Sequence, residues 1–96
     1  HYITSTIVIN IGEAFYLMKK YEQAVDYLQR GLKIYQEMFG ELHPETGRAY
    51  FQLGVATESL GKRDEAQEYL KKALTIFENT IGDQHEYTVN VRKLIK

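Results

Sequence analysis

Three observations predict an all-α fold of antiparallel helix pairs stacked in tandem as an α-solenoid of about five helices. The first is an internal repeat. Shifted by 42 residues, Gly12 falls on Gly54, Ala14 on Ala56, Ala24 on Ala66, Tyr27-Leu28 on Tyr69-Leu70, Leu32 on Leu74, Ile34 on Ile76, Tyr35 on Phe77 and Gly40 on Gly82. His1, His43 and His85 share the register, as do Thr4, Thr46 and Thr88. A fixed period of about 20–50 residues marks an array of supersecondary units that bury their faces only by stacking. The second observation is apolar spacing of three and four, the mark of a helix with one buried face. The third is that no segment alternates with a period of two over a useful length, which leaves no strand.

The elements follow in order. Val8, Ile11, Phe15 and Met18 predict a helix over 4–18 with those residues buried. Lys19-Lys20 holds the register of Gly61-Lys62, so a tight turn is expected there. A second helix over 22–39 carries Ala24, Val25, Leu28, Leu32, Tyr35 and Phe39 on its apolar face, and Gly40 follows as a left-handed stop. In His43-Pro44-Glu45 the proline suits the first helical position and the acid suits the positive helix start, which makes His43 the expected N-cap. The third helix, over 44–60, places Tyr50, Leu53, Gly54 and Thr57 inside, and Gly61 ends it. The fourth, over 63–81, opens on Asp64-Glu65 and buries Ala66, Tyr69, Leu70, Ala73, Leu74 and Phe77 before Gly82. A fifth begins near Glu86 and carries Val89, Val91, Leu94 and Ile95. The chain is thus one domain over 1–96: repeat 1 at about 4–39, repeat 2 at about 44–81 and a partial repeat 3 at about 86–96.

The recurring small residues have a packing reading. A glycine inside a helix costs about 1 kcal/mol relative to alanine, so Gly12 and Gly54 at equivalent places imply a close neighbouring backbone. Ala24 and Ala66 would complete that contact. Gly31, in the register of Ala73, is expected to loosen the first pair.

Composition narrows function. Twelve basic and 13 acidic residues nearly balance, so neither nucleic acid nor an anionic membrane is an expected partner. There is no cysteine, which removes disulfides, thiolate catalysis and zinc–thiolate sites. No apolar run approaches the roughly 18 residues of a membrane span. The short apolar start Ile7-Val8-Ile9 lacks a basic leader, and the expected setting is intracellular, in the cytoplasm.

The motifs Tyr50-x-x-Leu53-Gly54-x-x-Thr57 and Ala66-x-x-x-Leu70-x-x-Ala73, echoed by Val8-x-x-Ile11-Gly12-x-x-Phe15 and Ala24-x-x-x-Leu28, resemble the tetratricopeptide repeat. The departures are Thr57 where an aromatic is usual, Gly31 where alanine is usual, no proline at the repeat end, and a period longer than the usual 34 or so residues. That longer unit, with Ala73-Leu74-Thr75-Ile76-Phe77 and Gly40-Glu41-Leu42-His43-Pro44-Glu45-Thr46, is similar to the kinesin-light-chain-like subgroup. The resemblance implies a right-handed superhelix whose first helices line a concave groove, and a protein-interaction scaffold that binds a peptide segment of a partner. His1 sits in the register of His43 and Lys96 falls inside a first helix, so a piece of a longer array is expected. Leu94, Val91 and Ile95, on a last helix without its pairing helix, are expected to be partly exposed and open to self-association.

With the first helices lining the groove, the candidate partner-binding residues are Thr6, Ile9, Glu13 and Tyr16, then Arg48, Phe51, Val55 and Glu58, then Asn90 and Lys93. Ile9, Tyr16, Phe51 and Val55 would form an apolar strip with charged edges. Packing between repeats is the competing reading for Ile9 and Phe51. The family's clamp for a C-terminal carboxylate uses lysine, asparagine and arginine at positions that here hold Ile9, Glu13, Phe51, Val55 and Lys93. Only Lys93 fits, so no such clamp is expected.

No cofactor, metal or catalytic site emerges. The histidines lie one repeat apart, at roughly 10 Å helix-packing distances, too far to share a metal with ligand bonds near 2 Å. They read as loop or capping residues. Asp64, Glu65 and Glu78 lie where helix starts and solvated faces want acids, and Glu68 and Lys72 form an i, i+4 pair. There is no Gly-rich phosphate loop and no nucleophile beside a base, so an enzyme is not expected. The alternative to a peptide-binding scaffold is a structural spacer or self-association segment of a larger repeat protein.

Overall fold

The computed structural model describes residues 2–96, with side chains from Thr6 onward. The register matches of His1 and Thr4 therefore lie outside what is described. Five helices follow one another: α1 (Tyr2–Leu17), α2 (Tyr21–Phe39), α3 (Pro44–Ser59), α4 (Arg63–Thr80) and α5 (Glu86–Leu94). Each packs on the next, and α1 also meets α3, giving a slab of 32 × 31 × 19 Å.

The local chemistry accounts for the helix ends. His43 caps α3 by accepting the Glu45 backbone N–H at Nδ1 (3.1 Å), and His85 caps α5 by accepting that of Tyr87 (3.0 Å). Thr46 Oγ1 donates to the Gly40 carbonyl at 2.8 Å, and Thr88 Oγ1 donates to Gly82 at 2.7 Å. One loop is thus built twice from the same residues. The turns after α1 and α3 also share a design. Lys20 N–H bonds Phe15 O and Lys19 N–H bonds Tyr16 O, just as Lys62 bonds Thr57 and Gly61 bonds Glu58. The left-handed residue is Gly61 in one turn (φ 85°) and Lys19 in the other (φ 63°).

Phe77, Leu28, Leu53, Leu70 and Val91 are the large apolar side chains buried most completely. Gly12 and Gly54 explain how the pairs close. A methyl at Gly12 would fall 2.8 Å from Leu28 Cγ, and one at Gly54 would fall 2.8 Å from Leu70 Cγ and 3.3 Å from the Ala66 carbonyl oxygen. These glycines let a leucine of the partner helix sit against the backbone. Thr57, in place of an aromatic, is buried, and its Oγ1 has no hydrogen-bond partner among the described residues.

Three expectations need correction. The buried face of α1 is only partly the one its spacing indicates: Val8 and Phe15 are half-buried, but Ile11 is 37% exposed and Met18 is exposed, while Ile9 is 5% exposed. On α3, the matching Leu53 is 0% exposed because α2 and α4 both pack on that helix. On α1 only α2 and the edge of α3 do so, and the outer face stays open. Gly31 does not loosen the first pair, because the Ile9 side chain occupies the space a methyl would take. Finally, Val91 is fully buried rather than partly exposed, because α4 covers it. Leu94 and Ile95 are half-buried, and Gln67 ties the end of α5 through Leu94 O (3.1 Å) and Lys96 N (2.9 Å).

Candidate functional site

The first helices α1 and α3 present facing rows of side chains across a cleft. On α1, Glu13, Tyr16 and Leu17 lie three and four residues apart and so share a face. On α3, Phe51 and Val55 do the same, with Gln52 beside them. Between these rows lies a cavity of about 220 Å³, floored by Leu28 of α2. Leu28 is the side chain that fills the space beside Gly12, so the contact that closes the helix pair also makes the cavity floor. A second cavity of about 160 Å³ lies between α3 and α5, lined by Arg48, Phe51, Gln52 and Tyr87. Phe51 is the wall the two cavities share.

The polar groups are oriented. Gln52 Nε2 donates to Glu13 Oε1 at 2.7 Å across the cleft. Arg48 Nη1 donates to both Glu45 carboxylate oxygens, at 3.2 and 3.4 Å, and its guanidinium lies 5.9 Å from the centre of the Tyr87 ring. Burial opposes the charge on Arg48, but the hydrogen bond and charge of Glu45 outweigh it and leave the pKa raised. A half-buried apolar pocket with a few placed polar groups can seat a side chain. At about 220 Å³ it is smaller than the roughly 300–1,000 Å³ usual for drug-sized ligands.

Glu13, Tyr16, Phe51 and Val55 come together in the first cavity, and Arg48 joins Phe51 in the second. Thr6 and Glu58 are half-buried and Asn90 and Lys93 are exposed, and none of these four lines either cavity. Ile9 is a correction: it belongs to the core against Gly31 and is closed to a partner. Sequence reasoning missed Leu17, Gln52 and Tyr87. Leu17 left a signal, because it is a leucine where the next repeat has Ser59, and it stands 79% exposed at the cavity mouth. Gln52 left none that period or composition could show.

Away from the groove, among the described residues, no cluster of three or more His, Asp or Glu is placed to hold a metal. No helix among them is long and apolar enough to cross a membrane. No curated protein matches the chain. A family model does, described as tetratricopeptide repeat, over residues 3–79. Repeats of this kind serve protein–protein interaction in general. By the extent of that match and by its helix pairs, the chain belongs to the tetratricopeptide repeat family.

Proposed function

We propose that this protein is an interaction scaffold that holds a peptide segment of a partner protein in the groove across α1, α3 and α5. The observation that carries the reading is the cavity between Tyr16, Leu17, Phe51 and Val55, which leaves large apolar side chains lining an open cleft. Recognition is concentrated where an apolar side chain of the peptide is desolvated. The 42-residue period and the twice-built His-capped loop support the kinesin-light-chain-like subgroup within the family.

The test is selection from a peptide display library on immobilised wild-type protein and on Phe51→Glu, with helicity of both checked by circular dichroism. Wild type is expected to enrich a peptide family that Phe51→Glu fails to hold. Equal enrichment by both would overturn the groove as the site.

A second reading, self-association, is favoured by a different surface. Ile7, Ile11 and Met18 are exposed on the outer face of α1, more so than the Leu94 and Ile95 end. Sedimentation would then show mass rising with concentration in wild type and a fixed monomer mass for Ile11→Lys. A concentration-independent mass for wild type removes this reading.

A further inference from the structure

From the charges around the cleft, we infer that the α1–α3 cavity selects a peptide in which a bulky apolar residue is flanked by a basic one. The inference rests on the groove reading above and specifies its ligand. The cavity has room for one large side chain and is walled by Tyr16, Leu17, Phe51 and Val55 over Leu28. Glu13 is the charged residue in its lining. Gln52 fixes one oxygen of that carboxylate from the opposite helix, and among the described residues no cation pairs with Glu13.

The cation of the neighbouring cavity stands in contrast. Arg48 is already neutralised by Glu45 one turn away. Lys93, the other cationic candidate, lines neither cavity. The charge in the lining of the apolar pocket itself is therefore negative and, among the described residues, without a cation. A lysine or arginine next to the seated side chain meets a held carboxylate and, one turn further along α1, the ring of Tyr16. An acidic neighbour would meet repulsion at the same place. The charge contact lies at the rim, so it sets preference rather than most of the affinity.

The experiment uses a display library with a fixed central Phe or Leu and randomised flanks, selected on wild type, Glu13→Gln and Glu13→Lys, all checked for unchanged helicity. Wild type is expected to enrich Lys or Arg at one flanking position. Glu13→Gln should keep the apolar preference and lose the basic one, and Glu13→Lys should enrich Asp or Glu there instead. For a selected peptide, replacing the basic residue with Glu should weaken binding to wild type roughly threefold to tenfold. A basic preference that persists in Glu13→Lys, or no charge preference in wild type, overturns the inference while binding that depends on Phe51 keeps the groove. No enrichment of any peptide by wild type overturns both.

Discussion

Helices α1 and α3 occupy equivalent places in their repeats, yet their matching residues meet different surroundings. Leu53 is wholly buried while Ile11, 42 positions earlier, is 37% exposed. Ala49 is buried while Ile7 is exposed, and Ala56 is buried while Ala14 is exposed. The cause is the stack: α3 lies between α2 and α4, whereas α1 has α2 as its main neighbour. Burial in this architecture is thus set by how many neighbouring helices a position has, and only secondarily by the residue's own pattern. The two loops teach the converse. Tyr50 O–H donates to Glu41 at 2.7 Å and Gln36 donates to Tyr50 at 2.9 Å, whereas at the matching positions Arg92 meets Glu78 at 3.4 Å and the Asp83 carbonyl. The same His and Thr caps are thus flanked by different side-chain contacts.

Truncation is the strongest way to break the first contrast. Leu53→Ala should cost about 3 kcal/mol in urea unfolding, and Ile11→Ala less than about 1 kcal/mol. Equal costs would mean that α1 is as enclosed as α3.

The loop contrast predicts a smaller, pH-dependent loss. Burial, with the Glu41 hydrogen bond and charge, pushes the Tyr50 pKa up from 10 to about 12. The folded state therefore favours the protonated phenol. Its contribution is fully present below pH 10 and is lost as the pH rises through about 12. Tyr50→Phe should flatten that part of the stability–pH curve, leaving only the slope that other groups produce.

Thr57 stands where repeat 1 has Phe15, which stacks on Tyr27 at 5.5 Å. Thr57→Val removes a buried hydroxyl without a partner and should raise stability by about 1 kcal/mol. A loss instead would show that the hydroxyl is satisfied. The smallest effect is at the paired turns: Lys19→Gly should gain about 0.5–1 kcal/mol by relieving a left-handed lysine, offset in part by unfolded-state entropy. No gain would mean that the turn after α1 is unstrained.

These contrasts explain what could be read from sequence. The helices, the close approach at Gly12 and Gly54 and the capping role of His43 were legible because each rests on residues close in the chain or on a repeat that displays itself twice, although Leu28 and Leu70 side chains, rather than Ala24, make that approach. The choice between Ile9 and Ile11 on α1 was not, because both lie at helical spacings and only the stack decides which is covered. Gly31 misled for a related reason: its missing methyl is replaced by a side chain from another helix. In the groove, Glu13, Tyr16, Phe51 and Val55 could be placed from the first-helix register, but the Gln52 bridge depends on a distance between helices that no spacing encodes.

The most direct test of a peptide-binding groove is amide chemical-shift mapping of the labelled protein titrated with a peptide selected on it. Perturbations are expected to centre on Glu13, Tyr16, Leu17, Phe51 and Val55, with the outer face at Ile7 and Ile11 unchanged. Perturbations centred on that outer face, with the cavity residues still, would contradict the groove reading and assign recognition to the outer face of α1.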